Sequence, residues 1–180
     1  MIWKRLFGRE RLAGPARDLY EIVVRQARLP SFYADLAVPD TVDGRFELVA
    51  LHGFLLMRRL KVVPDGGATL GQALFDIMFA DMDASLREMG AGDLGVGRRV
   101  KTMAKAFLGR IAAYESGLDG TAPLAPALAR NLYGTADVPA GTIAAMAEYV
   151  AAAAEILEKA PDSGLLAGRA EFPPVPVSGR

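Results

Sequence analysis

Two helical hydrophobic patterns follow each other between Leu70 and Tyr114, separated only by Gly90-Ala91-Gly92. In both patterns apolar residues recur every three or four positions, as they do on one face of an α-helix. Glycine ends helices and permits tight connections. We therefore expect two helices that pack as an antiparallel hairpin, joined by a glycine-rich elbow. No segment of the chain shows the alternation that is typical of a β-strand.

The two predicted helices of this hairpin carry opposite charge. The first has one base, Arg87, and four acids: Asp76, Asp81, Asp83 and Glu88. The second has no acid before Glu115 and five bases: Arg98, Arg99, Lys101, Lys105 and Arg110. The whole chain is neutral, with 21 basic and 21 acidic residues. Such segregation indicates a polarised surface for a protein partner and no specific nucleic-acid binding. An ordinary solvated surface is the alternative for both helices.

Asp81 differs from the other acids because it falls inside the apolar arc of its helix, near Leu74 and Ile77. An unpaired carboxylate in that position would be costly. We expect Asp81 to be at least partly buried and paired with Arg99 or Arg110. In that case Asp81→Ala would cost on the order of 3–5 kcal/mol.

The rest of the chain predicts further helices separated by proline and glycine turns. These helices are expected from Gly14-Pro15 to Pro30, over Arg45–Leu60 after an N-cap at Thr41 or Asp43, over 124–133 and over 139–159. Arg45–Leu60 is apolar on two faces, which is typical of a central helix. The fold class predicted is all-α, a single compact bundle of about six or seven helices over residues 14–160.

The two ends of the chain have distinct compositions. Residues 1–13 combine Trp3, Leu6 and Phe7 with four bases and predict a basic amphipathic arm, suited to a membrane surface or a partner. A frayed start is the alternative. Residues 161–180 are rich in proline and predict an extended or disordered tail. The N-terminus lacks the apolar segment of a signal peptide. The chain has no apolar run of 18 residues, so we predict no transmembrane helix.

Candidate catalytic and cofactor-binding residues are few. The chain has no cysteine and one histidine, His52, which excludes thiol chemistry and the two Glu-x-x-His motifs of a di-iron bundle. Gly90, Gly92 and Gly95 match a dinucleotide-binding pattern, but a helix precedes them where that pattern needs a strand. We predict no catalytic, metal or cofactor site. A helical haem or quinone carrier, or a small enzyme, is the competing class.

Five segments spread over about residues 15–120 carry a family resemblance. They are Leu19-Tyr20 with Gln26-Ala27-Arg28; Pro30-Ser31-Phe32-Tyr33; Val38-Pro39-Asp40-Thr41 with Asp43-Gly44-Arg45-Phe46-Glu47; Leu51-His52 to Leu60; and Gln72 to Arg110. The chain resembles the ubiquinol–cytochrome c reductase assembly chaperone family in its short alpha-proteobacterial form. The last segment is the most specific, because no generic helical hairpin requires it.

The resemblance implies an all-α, non-enzymatic assembly factor without a cofactor. It implies that the chain binds cytochrome b, nascent or newly inserted, and promotes assembly of ubiquinol–cytochrome c reductase. It also implies a cytoplasmic location, peripheral to the inner membrane, with the ribosome surface and a small partner subunit as further candidate partners.

A client that is itself a membrane protein would meet an apolar groove with a charged rim. Methionine and phenylalanine side chains would supply adaptable apolar surface if the two hairpin helices splay. These are Met78, Met82, Met89 and Met103 with Phe75, Phe79 and Phe107, and ordinary core packing is the alternative for each of them. The predicted partner-binding residues are Asp76, Asp81, Asp83, Arg98, Arg99, Lys101, Lys105, Arg110, Phe75, Phe79 and Met82.

Overall fold

The computed structural model describes the backbone of residues 2–88 and 93–176 and the side chains of residues 12–88 and 102–176. Within these ranges the chain forms eight α-helices and a π-helical turn, and no β-strand. The helices are α1 (Ile2–Ala27), α2 (Pro30–Ala34), α3 (Val42–Leu60), α4 (Gly67–Glu88), α5 (Asp93–Leu118), α6 (Leu124–Leu128), α7 (Ala140–Lys159) and α8 (Asp162–Leu166). The π-helical turn, Ala129–Tyr133, continues α6. The all-α prediction is confirmed.

Helix α3 is the central helix, in contact with α1, α4, α7 and the π-helical turn. Thr41 is its N-cap: the hydroxyl oxygen accepts a hydrogen bond from the Gly44 amide at 3.1 Å, as the turn sequence predicted. Leu48, Leu51 and Leu55 are among its buried residues. Burial of two apolar faces explains why α3 has neighbours on both sides.

The hairpin helices α4 and α5 pack against each other, and α4 also packs against α1 and α3. Leu70, Leu74 and Met78 of α4 are buried, as are Phe107 and Tyr114 of α5. The predicted elbow at 90–92 lies outside the described residues. The apolar arcs of both helices therefore contribute to one shared core, as their periodicity predicted.

The start of the chain differs from the prediction. Helix α1 runs through Pro15, so no break at Gly14 separates an arm over residues 1–13 from the first helix. Proline inside a helix removes one main-chain hydrogen bond, but here it does not end the helix. The side chains of residues 1–11 lie outside the described part of the chain, and the membrane role of this segment stays a prediction.

The segment after residue 160 also differs from the prediction. It forms α8 and then runs along the core, with Leu165 and Val175 buried. Gln26 Nε2 of α1 donates a hydrogen bond to the Pro173 carbonyl oxygen at 3.0 Å. The tail was expected to be extended or disordered. Beyond α8 it is extended, and as far as residue 176 the disordered alternative is wrong. The prolines keep the segment extended, but its apolar side chains still find a place in the core.

Helix α7 is the one helix in the described ranges that is long and apolar enough, by composition, to cross a membrane. Its Met146, Tyr149, Val150 and Leu157 side chains are buried against the rest of the fold. The same apolarity is expected of any helix that packs in the core of a bundle.

Candidate functional site

An open groove with a volume of about 470 Å³ lies between α1, α3, α4 and α5. Met78, Met82 and Met103 line it, and we term it the methionine groove. Further apolar side chains complete its walls: Val42, Phe46, Val49 and Leu86. Polar and charged residues also line it: Tyr20, Arg28, Asp43, Arg45, Asp81 and Ser85. An apolar depression with charges around it suits an amphipathic segment of another protein.

Asp81 belongs to this groove but is not buried. The Tyr20 hydroxyl donates a hydrogen bond to Asp81 Oδ2 at 2.6 Å and so ties α1 to α4. Burial of Tyr20, together with this bond, raises the pKa of Tyr20 above its ordinary value. Asp81 itself is exposed. The expectation of a buried Asp81 is wrong because the carboxylate lies at the water-accessible edge of the apolar arc, and Arg110 pairs with Glu47 instead.

The phenylalanines expected in the groove pack against each other instead. The ring centroids of Phe75 and Phe79 are 4.5 Å apart, and those of Phe79 and Phe107 are 5.8 Å apart. Phe79 and Phe107 are buried, and none of the three rings lines the methionine groove. These rings hold α4 against α5, and the partner-binding role expected of Phe75 and Phe79 stays a prediction. Met89 lies outside the described residues.

The charged surface of the hairpin is described in part. Asp83 pairs with Arg87 at 2.6 Å, one turn further along α4. Asp76 accepts a hydrogen bond from Gln72 Nε2 at 2.8 Å. Lys105 is exposed on α5. The side chains of Arg98, Arg99 and Lys101 lie outside the described residues, so the role of the basic face stays a prediction.

A second depression, of about 640 Å³, adjoins the methionine groove. It lies between the N-terminal turns of α3, the middle of α5 and the π-helical turn, and we term it the polar cleft. It shares Asp43, Phe46 and Met103 with the groove. Its other polar lining residues include Thr41, Glu47, Thr102, Arg110, Arg130 and Asn131. No pattern in the sequence pointed to this cleft.

An incompletely bonded ion pair lies at the polar cleft. Arg110 Nη2 is 2.5 Å from Glu47 Oε1, which links α5 to α3, and Glu47 is only 8% exposed. Burial raises the pKa of Glu47 to about 7, and the charge of Arg110 opposes this rise. Glu47 Oε2, Arg110 Nε and the Tyr114 hydroxyl are buried without a hydrogen-bond partner among the described residues. The sequence did not indicate this ion pair, because its two members are distant along the chain.

His52 lies further along α3, in a network where both of its ring nitrogens are hydrogen-bonded. Its Nδ1 donates to the Leu48 carbonyl oxygen at 2.7 Å, and its Nε2 accepts from the Tyr149 hydroxyl at 2.8 Å. Gln26 Nε2 donates to the Tyr149 oxygen at 3.0 Å. Burial lowers the pKa of His52 to about 4, so the ring is neutral near pH 7. Both ring nitrogens are occupied, which gives His52 a structural role.

In the ranges that the structure describes, no group of three or more histidine, cysteine, aspartate or glutamate side chains could hold a metal ion. The groove and the cleft offer apolar contact, charge and hydrogen bonding.

Comparison with known proteins gives several similar sequences. A family model described as ubiquinol-cytochrome C chaperone matches residues 34–172. Protein CBP3, mitochondrial, from Saccharomyces cerevisiae is 29% identical over 150 residues, which cover 79% of this chain and 44% of the yeast protein. The ubiquinol-cytochrome c reductase complex assembly factor 1 of Drosophila melanogaster is 25% identical over 157 residues, which cover 84% of this chain and 61% of the fly protein. The chain thus spans about half the length of these two relatives.

A crystal structure of the Cbp3 homolog from Brucella abortus has the same fold. Its TM-score is 0.82 at 37% sequence identity, and the match covers 97% of this chain and 98% of that chain. The family model and this structure agree with the resemblance found in the sequence segments. The chain belongs to the ubiquinol-cytochrome c chaperone family.

Proposed function

We propose that this chain is a non-enzymatic assembly chaperone that binds newly made cytochrome b and promotes assembly of ubiquinol–cytochrome c reductase. Membership of the family supports the proposed role in assembly, since relatives from Drosophila melanogaster and Xenopus laevis are named assembly factors of the ubiquinol–cytochrome c reductase complex. The observation that carries the binding role is the methionine groove, an apolar depression bordered by charged residues on a folded helical domain.

The chemistry of the groove suits an apolar client. Methionine side chains are flexible and polarisable, so one groove can pack against apolar segments of varied shape. A membrane protein exposes such segments before its partners cover them. Arg28, Asp43 and Asp81 add charges of both signs around the apolar surface. Charges at the rim of an interface mainly select partners and raise the association rate.

The location follows from the client. We place the chain at the cytoplasmic face of the inner membrane, in peripheral contact with it. The basic first turns of α1 are candidates for contact with anionic lipid. The basic face of α5, with Arg98, Lys101 and Lys105, is a candidate for contact with the client, the ribosome surface or a small partner subunit, and Asp76 and Asp83 lie on the neighbouring helix.

Val42, the first residue of α3, and Val62, two residues beyond its end, offer a matched test of the groove. Val42 is 51% exposed and lines the groove, whereas Val62 is 71% exposed and does not. Val42→Glu and Val62→Glu place the same charge on exposed positions, so both variants should melt like the wild type. We expect Val42→Glu to recover cytochrome b from solubilised membranes about fivefold less well than the wild type. Val62→Glu should recover it normally, and equal recovery by both variants would argue against the groove.

A further inference from the structure

The polar cleft continues the methionine groove. The two depressions share the side chains of Asp43, Phe46 and Met103, so whatever fills the groove reaches the cleft without crossing another element. Their chemistry differs. The groove has more large apolar side chains, mainly methionine, valine and leucine, with charged residues around them. The cleft has fewer of these and adds the Asn131 amide and several threonine hydroxyls to its carboxylate and guanidinium groups.

The cleft also contains hydrogen-bonding capacity that the described residues do not use. Glu47 Oε2 is a buried acceptor and Arg110 Nε is a buried donor, both on side chains that line the cleft and both without a partner in the part of the chain described. Nearly all buried polar groups in folded proteins have a partner. A peptide unit carries one N–H donor and one C=O acceptor, so it would match both kinds of group if the Glu47 and Arg110 side chains turned toward the cleft.

The charges of the cleft balance each other. Asp43 and Glu47 are its two acids, and Arg110 and Arg130 are its two bases. A site for a phosphate or a nucleic acid needs an excess of positive charge. Because the pKa of Glu47 is about 7, the cleft carries at most a small net charge near neutral pH, which instead suits a neutral, hydrogen-bonding ligand.

We propose that the polar cleft is a second docking subsite, which takes a polar stretch of polypeptide directly adjoining the apolar segment that occupies the methionine groove. The client would then be recognised by its sequence order, an apolar segment next to a polar loop, and not by apolarity alone. This inference rests on the proposed function, since the occupant of the groove is cytochrome b.

Site-specific photocrosslinking in cells tests the inference. A photoreactive phenylalanine analogue is placed in the full chain at Val42 in the groove, at Ala136 in the cleft, or at Ala152 on α7. Ala136 and Ala152 are both exposed, so Ala152 reports the background. We expect Val42 and Ala136 to capture adjacent stretches of cytochrome b, with the polar stretch at Ala136, and Ala152 to capture neither.

The outcomes separate the two proposals. Capture of cytochrome b from Val42 but only background capture from Ala136 would overturn the subsite and leave the proposed function intact. Capture of another protein, or of a distant stretch of cytochrome b, from Ala136 would also overturn it. Failure of Val42 to capture cytochrome b would overturn the proposed function, and the subsite with it.

A substitution that fills the cleft provides a second measurement. Ala136→Trp should reduce recovery of cytochrome b by about threefold or more, because it occupies space needed by the polar stretch. Ala152→Trp should leave recovery unchanged, and the melting temperatures of the two variants check that both are folded. Normal recovery with Ala136→Trp would contradict the subsite.

Discussion

Helix α3 carries two buried polar clusters that differ in how many of their polar atoms have a hydrogen-bond partner. Around His52, both ring nitrogens and the Tyr149 hydroxyl are hydrogen-bonded. Around Glu47, three buried polar atoms have no partner among the described residues. A completed network fixes one arrangement of the helices, whereas an incomplete one is a place where water or a ligand enters. We interpret the His52 cluster as the part that holds the fold and the Glu47 cluster as part of the binding surface.

The largest effect is expected from breaking the ion pair at the cleft. At pH 9 Arg110→Met leaves a buried Glu47 carboxylate uncompensated and should cost about 3–5 kcal/mol of unfolding free energy. At pH 5 Glu47 is protonated, because its pKa is about 7, so the loss should be much smaller. Arg45→Met is the matched control, since its partner Asp40 is exposed and the loss of a solvent-screened pair should change stability very little. Equal losses from both variants in urea denaturation at pH 9 would refute this difference.

The second-largest effect is expected in the pH dependence of the unfolding free energy, which should show the titration of Glu47. Its pKa is about 7 in the folded state against an ordinary value of 4.5, so between these values the folded state binds more protons than the unfolded chain. Stability from this group is therefore lost as pH rises from about 4.5 to 7 and is constant above that range, with a total change on the order of 3 kcal/mol. Glu47→Gln should lack this decline. Parallel pH profiles for the wild type and Glu47→Gln would show that Glu47 titrates normally.

Tyr149 of the His52 cluster and Tyr114 beside Glu47 sharpen the comparison, since both are 2% exposed. Tyr149→Phe removes the hydroxyl that donates to His52 and accepts from Gln26. It should cost about 1–3 kcal/mol by stranding a buried ring nitrogen. Recovery of cytochrome b should stay normal at temperatures where the variant is folded. Thermal unfolding measures the first effect, and an unchanged stability would mean that water replaces the lost hydroxyl.

Tyr114→Phe should have the smallest effect. Its hydroxyl has no hydrogen-bond partner in the described structure, so its removal leaves no new group unpaired. The unfolding free energy should change by less than about 0.5 kcal/mol, or rise slightly. The same thermal unfolding experiment measures it, and a loss as large as that of Tyr149→Phe would mean that the Tyr114 hydroxyl is bonded in solution.

Much of the fold was predictable because it depends on local patterns. The cap at Thr41, the two apolar faces of α3 and the apolar arcs of α4 and α5 all follow from residue type and helical spacing. Long-range packing is not encoded in that spacing. His52 lies on the polar stripe of α3 in a helical projection, but Tyr149 of α7 and Phe172 of the C-terminal segment cover that stripe.

The candidate site was less predictable for the same reason. The sequence predicted an apolar groove lined by methionines next to charged residues, and Met78, Met82 and Met103 do line one. Its walls also come from α1 and α3, which hydrophobic periodicity alone does not place beside the hairpin. The partnership of Glu47 with Arg110 needed the folded structure, because side chains distant in sequence leave no joint signal in one chain.

Amide hydrogen exchange of the full chain, alone and with solubilised cytochrome b, tests the central claim most directly. We predict slower exchange on binding in the segments that line the groove and the cleft, which are residues 42–47, 78–86, 103–110 and 131–136. Exchange over 146–157 and 172–175, which pack around His52, should not change. Slowing confined to those last two segments, with the groove and the cleft unaffected, would contradict this account. It would mean that the Glu47 cluster is not part of the binding surface.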